Sequence, residues 1–298
     1  MPTLFRLFKK IHTLFFGKNF GRIPGMRRLH SFLYAHLRPT GEVLVATHGI
    51  KLWINASDRG QGTDFLLRGE YDAFETELIR RYAKPGVCAV DAGAHIGYFA
   101  LLMARGIGSS GRVYAFEPEP KNFSLLLKNI LENHKENVIA EQCALSDQSG
   151  MTNLFLDTKN LGNMSFAQKN IPTGSGGGAV AVRTVSLDEY VAEKILDRRV
   201  DFIKMDVQGA EGLVILGGWK TIERWRPVIL MEFWPYGMRS LGTDPLELMR
   251  RLAGLGYAFF VVDSTHKTLK SKQPEDLLNL SLNRPEGKGW ANIICQAN

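Results

Sequence analysis

From Val87 onward, short apolar runs alternate with stretches whose apolar residues recur at helical spacing. VCAVDA (87–92), RVYAFE (112–117), VIAEQCA (138–144), DFIKMDV (201–207) and VILMEF (228–233) predict strands. Helical runs fall near 97–105, 120–133, 186–196, 210–223 and 244–255, the third opened by the capping-box pair Ser186 and Glu189. Such alternation predicts a mainly parallel sheet covered by helices on both faces. YAFFVVD and WANIICQ, near the end of the chain, predict an antiparallel pair at one sheet edge, joined by a long loop. Upstream, DAFETELIRRYA predicts a helix ended by the KPG of residues 84–86. EVLVATHGIKLWIN predicts two short strands around a His-Gly turn. TGSGGGA (173–179) reads as a flexible loop, since it lacks the Gly-Lys-Ser/Thr ending of a phosphate loop.

LFRLFKKIHTLFF predicts an amphipathic helix, with Leu4, Phe5, Leu7, Phe8, Ile11, Leu14 and Phe15 apolar and Arg6, Lys9 and Lys10 opposite them. Charge sharpens the picture. The net charge is +7, yet residues 1–40 hold eight Lys and Arg and no acid, while the rest carry 29 basic and 30 acidic groups. The basic segment, residues 1–20 above all, is either a helix capping the core or a surface for an anionic membrane. Nucleic acid is the weakest partner, because no aromatic-basic groove motif accompanies the charge.

Composition adds limits. The chain has 298 residues, 45% hydrophobic and 22% charged, enough for one large α/β domain with an extension. No apolar run reaches the roughly 18 residues a membrane span needs, and no cleavage signal follows an apolar core. Cys88, Cys143 and Cys295 lie far apart inside apolar runs, as buried thiols of a cytoplasmic protein would. There is no CxxC and no zinc-type Cys/His cluster, so no zinc site is expected.

The candidate chemistry sits in DAGAHIG, at the end of the first run. Asp91 closes an apolar strand, and Gly93 and Gly97 turn the chain into a helix. In open α/β sheets ligands bind beyond the carboxyl ends of the strands, where the strand order switches. Gly93 leaves space for a ligand on the turn, and Gly97 lets the helix start lie close to the sheet. Glu117 ends the next strand about twenty residues later, a spacing that suits a carboxylate accepting both hydroxyls of a ribose. The G-x-G-x-x-G dinucleotide fingerprint is absent, and Asp91 suits an ammonium group. A nucleoside joined to an amino acid, S-adenosylmethionine, has both features.

GEYDAFETELI, DAGAHIGYFALLMA, GRVYAFEPEPKNFSLLLKNI, ALSDQSG, VSLDEYV, VDFIKMDVQGAEGLVILGG and RPVILMEF, in this order from about Gly69 to Phe233, resemble the FkbM-type S-adenosylmethionine-dependent methyltransferases. The resemblance implies a Rossmann-like class I methyltransferase fold: a mainly parallel seven-stranded sheet with helices on both faces and an antiparallel edge strand. It implies O-methylation of a hydroxyl on a sugar, glycolipid or natural product. The expected organisation is a basic extension over 1–40, a hairpin with the start of a cap helix over 41–75, and the methyltransferase domain over 76–298. His95 stands where the family often has Asn, and Gln208 replaces the usual acid of D-V-E-G-A-E.

Methyl transfer needs an aligned acceptor and a group to take its proton. Asp206, Glu211 and Glu232 are the catalytic candidates. Asp206 is an acceptor, base or cation ligand, or it caps the following helix. Glu211 either complements the helix dipole or touches substrate. Glu232 binds a hydroxyl or pairs with Lys204. Three acids near one face are compatible with a divalent cation without demanding it. For the cofactor the candidates are Asp91, Gly93, His95, Gly97, Glu117, Ser146, Asp147 and Asp206. His95 is there for packing and backbone bonding, or as a base. Ser146 and Asp147 contact adenine or form an ordinary polar turn.

Rival readings are a nucleic-acid methyltransferase, a nicotinamide-dependent dehydrogenase, and a protein that keeps the cofactor but has lost catalysis. The first lacks a Pro-Pro-aromatic tetrapeptide after DFIKMDV, and the second lacks the glycine fingerprint. Gln208 is the residue that lends weight to the third.

Overall fold

The computed structural model describes residues 3–15, 25–195, 198–282 and 288–297. The chain divides into two compact units, Met1–Tyr71 and Asp72–Asn298. The first holds helices α1 (Thr3–Phe15) and α2 (Met26–Leu37), strands β1 (Glu42–Thr47) and β2 (Ile50–Asn55), and helix α3 (Gln61–Leu67). β1 and β2 form an antiparallel hairpin that buries alternate residues, as the His-Gly turn predicts. Phe5 and Phe8 of α1 are buried against His30 and Tyr34 of α2. Tyr34 donates to Thr63 of α3 at 3.1 Å, and Asp58 closes the turn into α3 through the amides of Gly60 and Gly62, each at 3.0 Å.

The second unit opens with α4 (Ala73–Tyr82), capped by Asp72, which accepts the amide of Glu75 at 3.0 Å. Then come β3 (Cys88–Ala92), α5 (Tyr98–Ile107), β4 (Arg112–Phe116), α6 (Pro120–Glu132) and β5 (Val138–Glu141). Short strands β6 (Ala144–Ser146), β7 (Gly150–Asp157) and β8 (Gly176–Ser186) follow, then α7 (Leu187–Lys194) and β9 (Phe202–Met205). Helices α8 (Glu211–Gly217) and α9 (Trp219–Trp225) lead to β10 (Val228–Phe233). The chain ends with α10 (Pro235–Ser240), α11 (Pro245–Gly254), β11 (Tyr257–Asp263), β12 (Thr268–Lys272), α12 (Pro274–Leu282) and β13 (Ala291–Ala297).

The main sheet has the order β12-β11-β13-β10-β9-β3-β4-β5. From β10 to β5 all pairings are parallel, and the other three strands are antiparallel. It therefore has eight strands, one more than expected. The addition is β12, a polar strand hairpinned onto β11 inside what reads as a long loop. Every residue of β3 is buried, as a central strand covered on both faces requires.

Three local expectations are corrected. VIAEQCA does not run on as one strand: it breaks after Glu141, and β6 joins a separate three-stranded sheet of order β6-β8-β7. Part of the glycine loop at 173–179 is strand, because β8 begins at Gly176 and pairs with β7. Residues 210–223 form two helices broken at Gly217–Gly218. A Cβ on Gly217 would collide with the carbonyl of Ser146, and one on Gly218 with Leu187. Ser186 caps α7 by accepting the amide of Glu189 at 3.2 Å, but the Glu189 carboxylate bonds Ser149 instead of closing the box. The expected end of that helix at residue 196, and residues 16–20 of the basic segment, lie outside the described residues. The three cysteines are buried and unbridged.

Candidate active site

The strand order reverses at β3, whose neighbours are β4 on one side and β9 on the other. The crevice beyond their carboxyl ends is where such a sheet binds ligands. On the first side lies the Asp91–Gly97 turn. Gly93 and Ala94 both donate to the carbonyl of Phe116, at 3.0 and 2.9 Å. Glu117 accepts the amides of His95 at 2.8 Å and Glu119 at 2.9 Å. Glu119 in turn caps α6 through the amide of Asn122 at 2.7 Å. Burial raises the Glu117 carboxyl to about 7, against the opposing pull of its two backbone donors. Two bonds leave a carboxylate with acceptor positions to spare, so Glu117 can hold the turn and still receive hydroxyls.

The glycines differ in what they accommodate. A Cβ on Gly93 would collide with the carbonyl of Asp206, and one on Gly97 would press on Leu126 of α6. Both have positive φ, 78° and 90°, as does His95 at 51°. The clearance at Gly93 is thus taken up by the neighbouring strand end, and that at Gly97 by a helix rather than the sheet. His95 is buried within the turn.

On the second side, the DVQGAE loop follows β9. Gln208 has φ 49°, and its carbonyl is held by the Ser165 hydroxyl at 2.7 Å and the Asn170 amide at 3.4 Å. Its side-chain amide donates to Asp206 at 2.7 Å and Glu232 at 2.9 Å. All three residues are partly open to solvent. The carboxyl of Glu232 is raised well above the ordinary carboxylate range, first by burial and then by Asp206 and Glu211. Glu211 is placed differently: it is fully buried, and its oxygens accept the amides of Val207 at 3.1 Å and Gly209 at 3.0 Å. It shapes the loop from beneath, and burial raises it to about 8.

Below this edge lies a charge cluster. Asp91 on β3 and Lys204 on β9 are register partners, with Lys204 Nζ 3.8 Å from the carboxylate and both residues buried. Lys204 also lies 4.8 Å from the ring centre of Phe99. The cation nearest the Asp91 carboxylate is therefore this lysine, which answers to Asp91 and not to Glu232 as its ion-pair partner. Burial raises Asp91 to about 6, less than it would without Lys204. Glu75 of α4 accepts the Asn292 amide at 3.2 Å and is raised to about 8 by burial. One buried cation balances one buried anion, and Glu75, left without a cation of its own, is pushed toward its protonated form instead. A raised acid favours the fold at low pH and ceases to as pH climbs from its unfolded value to its folded one. Glu75→Gln is accordingly expected to leave Tm unchanged near pH 4.5 and to raise it progressively up to pH 8. Thermal melts across that range check this; an equal shift at both ends would contradict it.

Ser146 and Asp147 bond each other at 3.0 Å on the second sheet, with Ser146 backed by Gly217. No hydrogen bond joins them to the Glu117 turn among the described residues. Also among the described residues, no three His, Cys, Asp or Glu side chains are grouped to hold a metal ion, and no helix is long and apolar enough to cross a membrane. Glu75, Asn292 and Asn170 are parts of the arrangement that sequence reasoning missed, whereas Ser165 closes NLGNMS (160–165), a stretch that resembles one lying over the family's active site. The only signal of the first three was polar residues within otherwise ordinary runs.

A mainly parallel sheet with a carboxylate-clamped glycine turn and an acid-rich loop on either side of its order switch defines an open α/β protein with its candidate site at that switch. The profile of the methyltransferase FkbM domain matches residues 91–259, more than half the chain, and the chain belongs to that family. It is 33% identical over 178 residues to methyltransferase sdnD of Sordaria araneosa, covering 50% of this chain and 68% of that protein. To hexuronic acid methyltransferase AglP of Haloferax volcanii it is 26% identical over 192 residues, covering 63% of this chain and 69% of that one. Methyltransferase FkbM of Methylobacillus flagellatus KT, a crystal structure, aligns with TM-score 0.42 at 17% identity, over 78% of this chain and 52% of that chain. The chain thus spans about half the length of that solved protein.

Proposed function

We infer that this protein transfers a methyl group from S-adenosylmethionine to a hydroxyl of a sugar, glycolipid or natural product. The observation that carries the reading is the contact between the two sides of the crevice. The amide of Asp206 donates to Ala92 at 3.1 Å, and the backbone at Gly93 abuts the Asp206 carbonyl, so cofactor turn and acidic loop share one edge. The family supports methyl transfer. A relative named as a hexuronic acid methyltransferase supports a carbohydrate acceptor.

Glu117 receives the ribose hydroxyls, while the 93–97 turn and His95 line the approach to it. Ser146 and Asp147 are assigned to the adenine end. Asp91 acts from below, with Lys204, by fixing β3 against β9. When bound, S-adenosylmethionine supplies a methyl group on a positively charged sulfur. Asp206 takes the proton of the acceptor hydroxyl, whose oxygen would receive that methyl group. Gln208 holds Asp206 and Glu232 together, and Glu232 orients the acceptor. A methyl-transfer screen against sugars, lipid-linked glycans and RNA tests the reading. Transfer to a hydroxyl that Asp206→Asn abolishes is the expected result; transfer to a base nitrogen or to nothing overturns it.

A further inference from the structure

The helical pair of the first unit leaves a large apolar surface uncovered. Leu4, Leu7, Ile11 and Leu14 of α1, and Leu29 and Phe32 of α2, are each 45–65% exposed. Their spacings of three and four residues place each set along one helix flank. The ring contacts Phe5–Tyr34, Phe8–His30 and His12–His30 descend α2 as they ascend α1, so the helices are antiparallel. At about 100° of rotation per residue, both exposed sets then fall on the same flank of the pair. Lys10 lies about 40° round from Leu14, and Arg28 about 40° round from Phe32; both are exposed. The patch is therefore apolar in its middle and cationic at both rims.

We propose that this flank docks on an anionic lipid surface, with the six apolar side chains entering the acyl boundary and Lys10 and Arg28 reaching the headgroups. Charge selects this occupant. With eight basic residues and no acid among the first 40, two copies placed face to face would repel, whereas acidic headgroups would neutralise the segment. Docking by this flank brings the methyltransferase to acceptors that reside at a membrane.

The test is co-sedimentation of the full chain with vesicles of phosphatidylcholine alone, or with about one third phosphatidylserine. Binding to the anionic vesicles is expected, weakened by salt, and reduced at least about 10-fold in a Leu7→Asp/Leu14→Asp/Phe32→Asp variant. These side chains face solvent, so the variant should keep the wild-type circular dichroism. Lys10→Glu/Arg28→Glu, which leaves the apolar patch intact, should lose the preference for phosphatidylserine. The proposal is overturned if the wild type ignores anionic vesicles, or if the triple variant binds equally well. It is also overturned if the triple substitution abolishes a self-association or an RNA complex and leaves vesicle binding unchanged.

Discussion

Glu117→Ala is expected to weaken S-adenosylmethionine binding roughly 100-fold or more, measured by titration calorimetry. Two ribose hydroxyls donating to an ionised carboxylate contribute about 1.5–3 kcal/mol each, and about 1.4 kcal/mol is tenfold in affinity. The substitution also releases the amides of His95 and Glu119, so the turn itself loses its clamp. Glu117→Gln should lose most of the affinity too, because its amide nitrogen would face one of those backbone N–H groups. A pH signature separates ligand contact from mere turn support. The free carboxyl sits at about 7, and hydroxyl donors favour its ionised form. Affinity should therefore rise as pH climbs through 7 and level off above, with a proton released on binding below it. Glu117→Gln should flatten that profile. Unchanged affinity in Glu117→Ala would remove the nucleoside from this edge.

The second large effect is expected at Asp206. Asp206→Asn keeps the shape of the side chain and an oxygen that can accept the 2.7 Å bond from Gln208, yet it cannot take a proton. Loss of a general base lowers kcat by about 10²- to 10⁴-fold, with little change in cofactor affinity. Single-turnover methyl transfer with saturating cofactor reads this directly. Retained turnover would shift the proton acceptor to another group and undo the assignment.

Much of this arrangement is legible in the residue pattern, because the parallel strands are short, mainly apolar runs and the bends beyond them carry glycine or acid. Asp91, Glu117, Asp206 and Glu232 all stand at strand ends, which the alternation of strand and helix marks in one dimension. What the pattern conceals is lateral order. Lys204 becomes the partner of Asp91 only once β9 is known to lie beside β3, across more than a hundred residues. Glu75 enters from a helix that precedes the first strand of the sheet, where one acid among several on a charged surface looks unremarkable. Glu211 reads like its neighbours Asp206 and Glu232, but the first turn of α8 directs it inward onto the amides of Val207 and Gly209. The second sheet was hidden for a different reason: its strands are short or rich in glycine and exposed, so they lack the apolar signature of buried β structure.

The tight fit at Gly93 changes how genetic data on this protein should be interpreted. Intolerance of that position to any larger residue would report crowding between adjacent polypeptide backbones, whether or not a nucleoside ever rests on the turn. Deleterious alleles there would impair cofactor capture and proton removal together, and would mimic two separate lesions while altering a single hydrogen to a methyl.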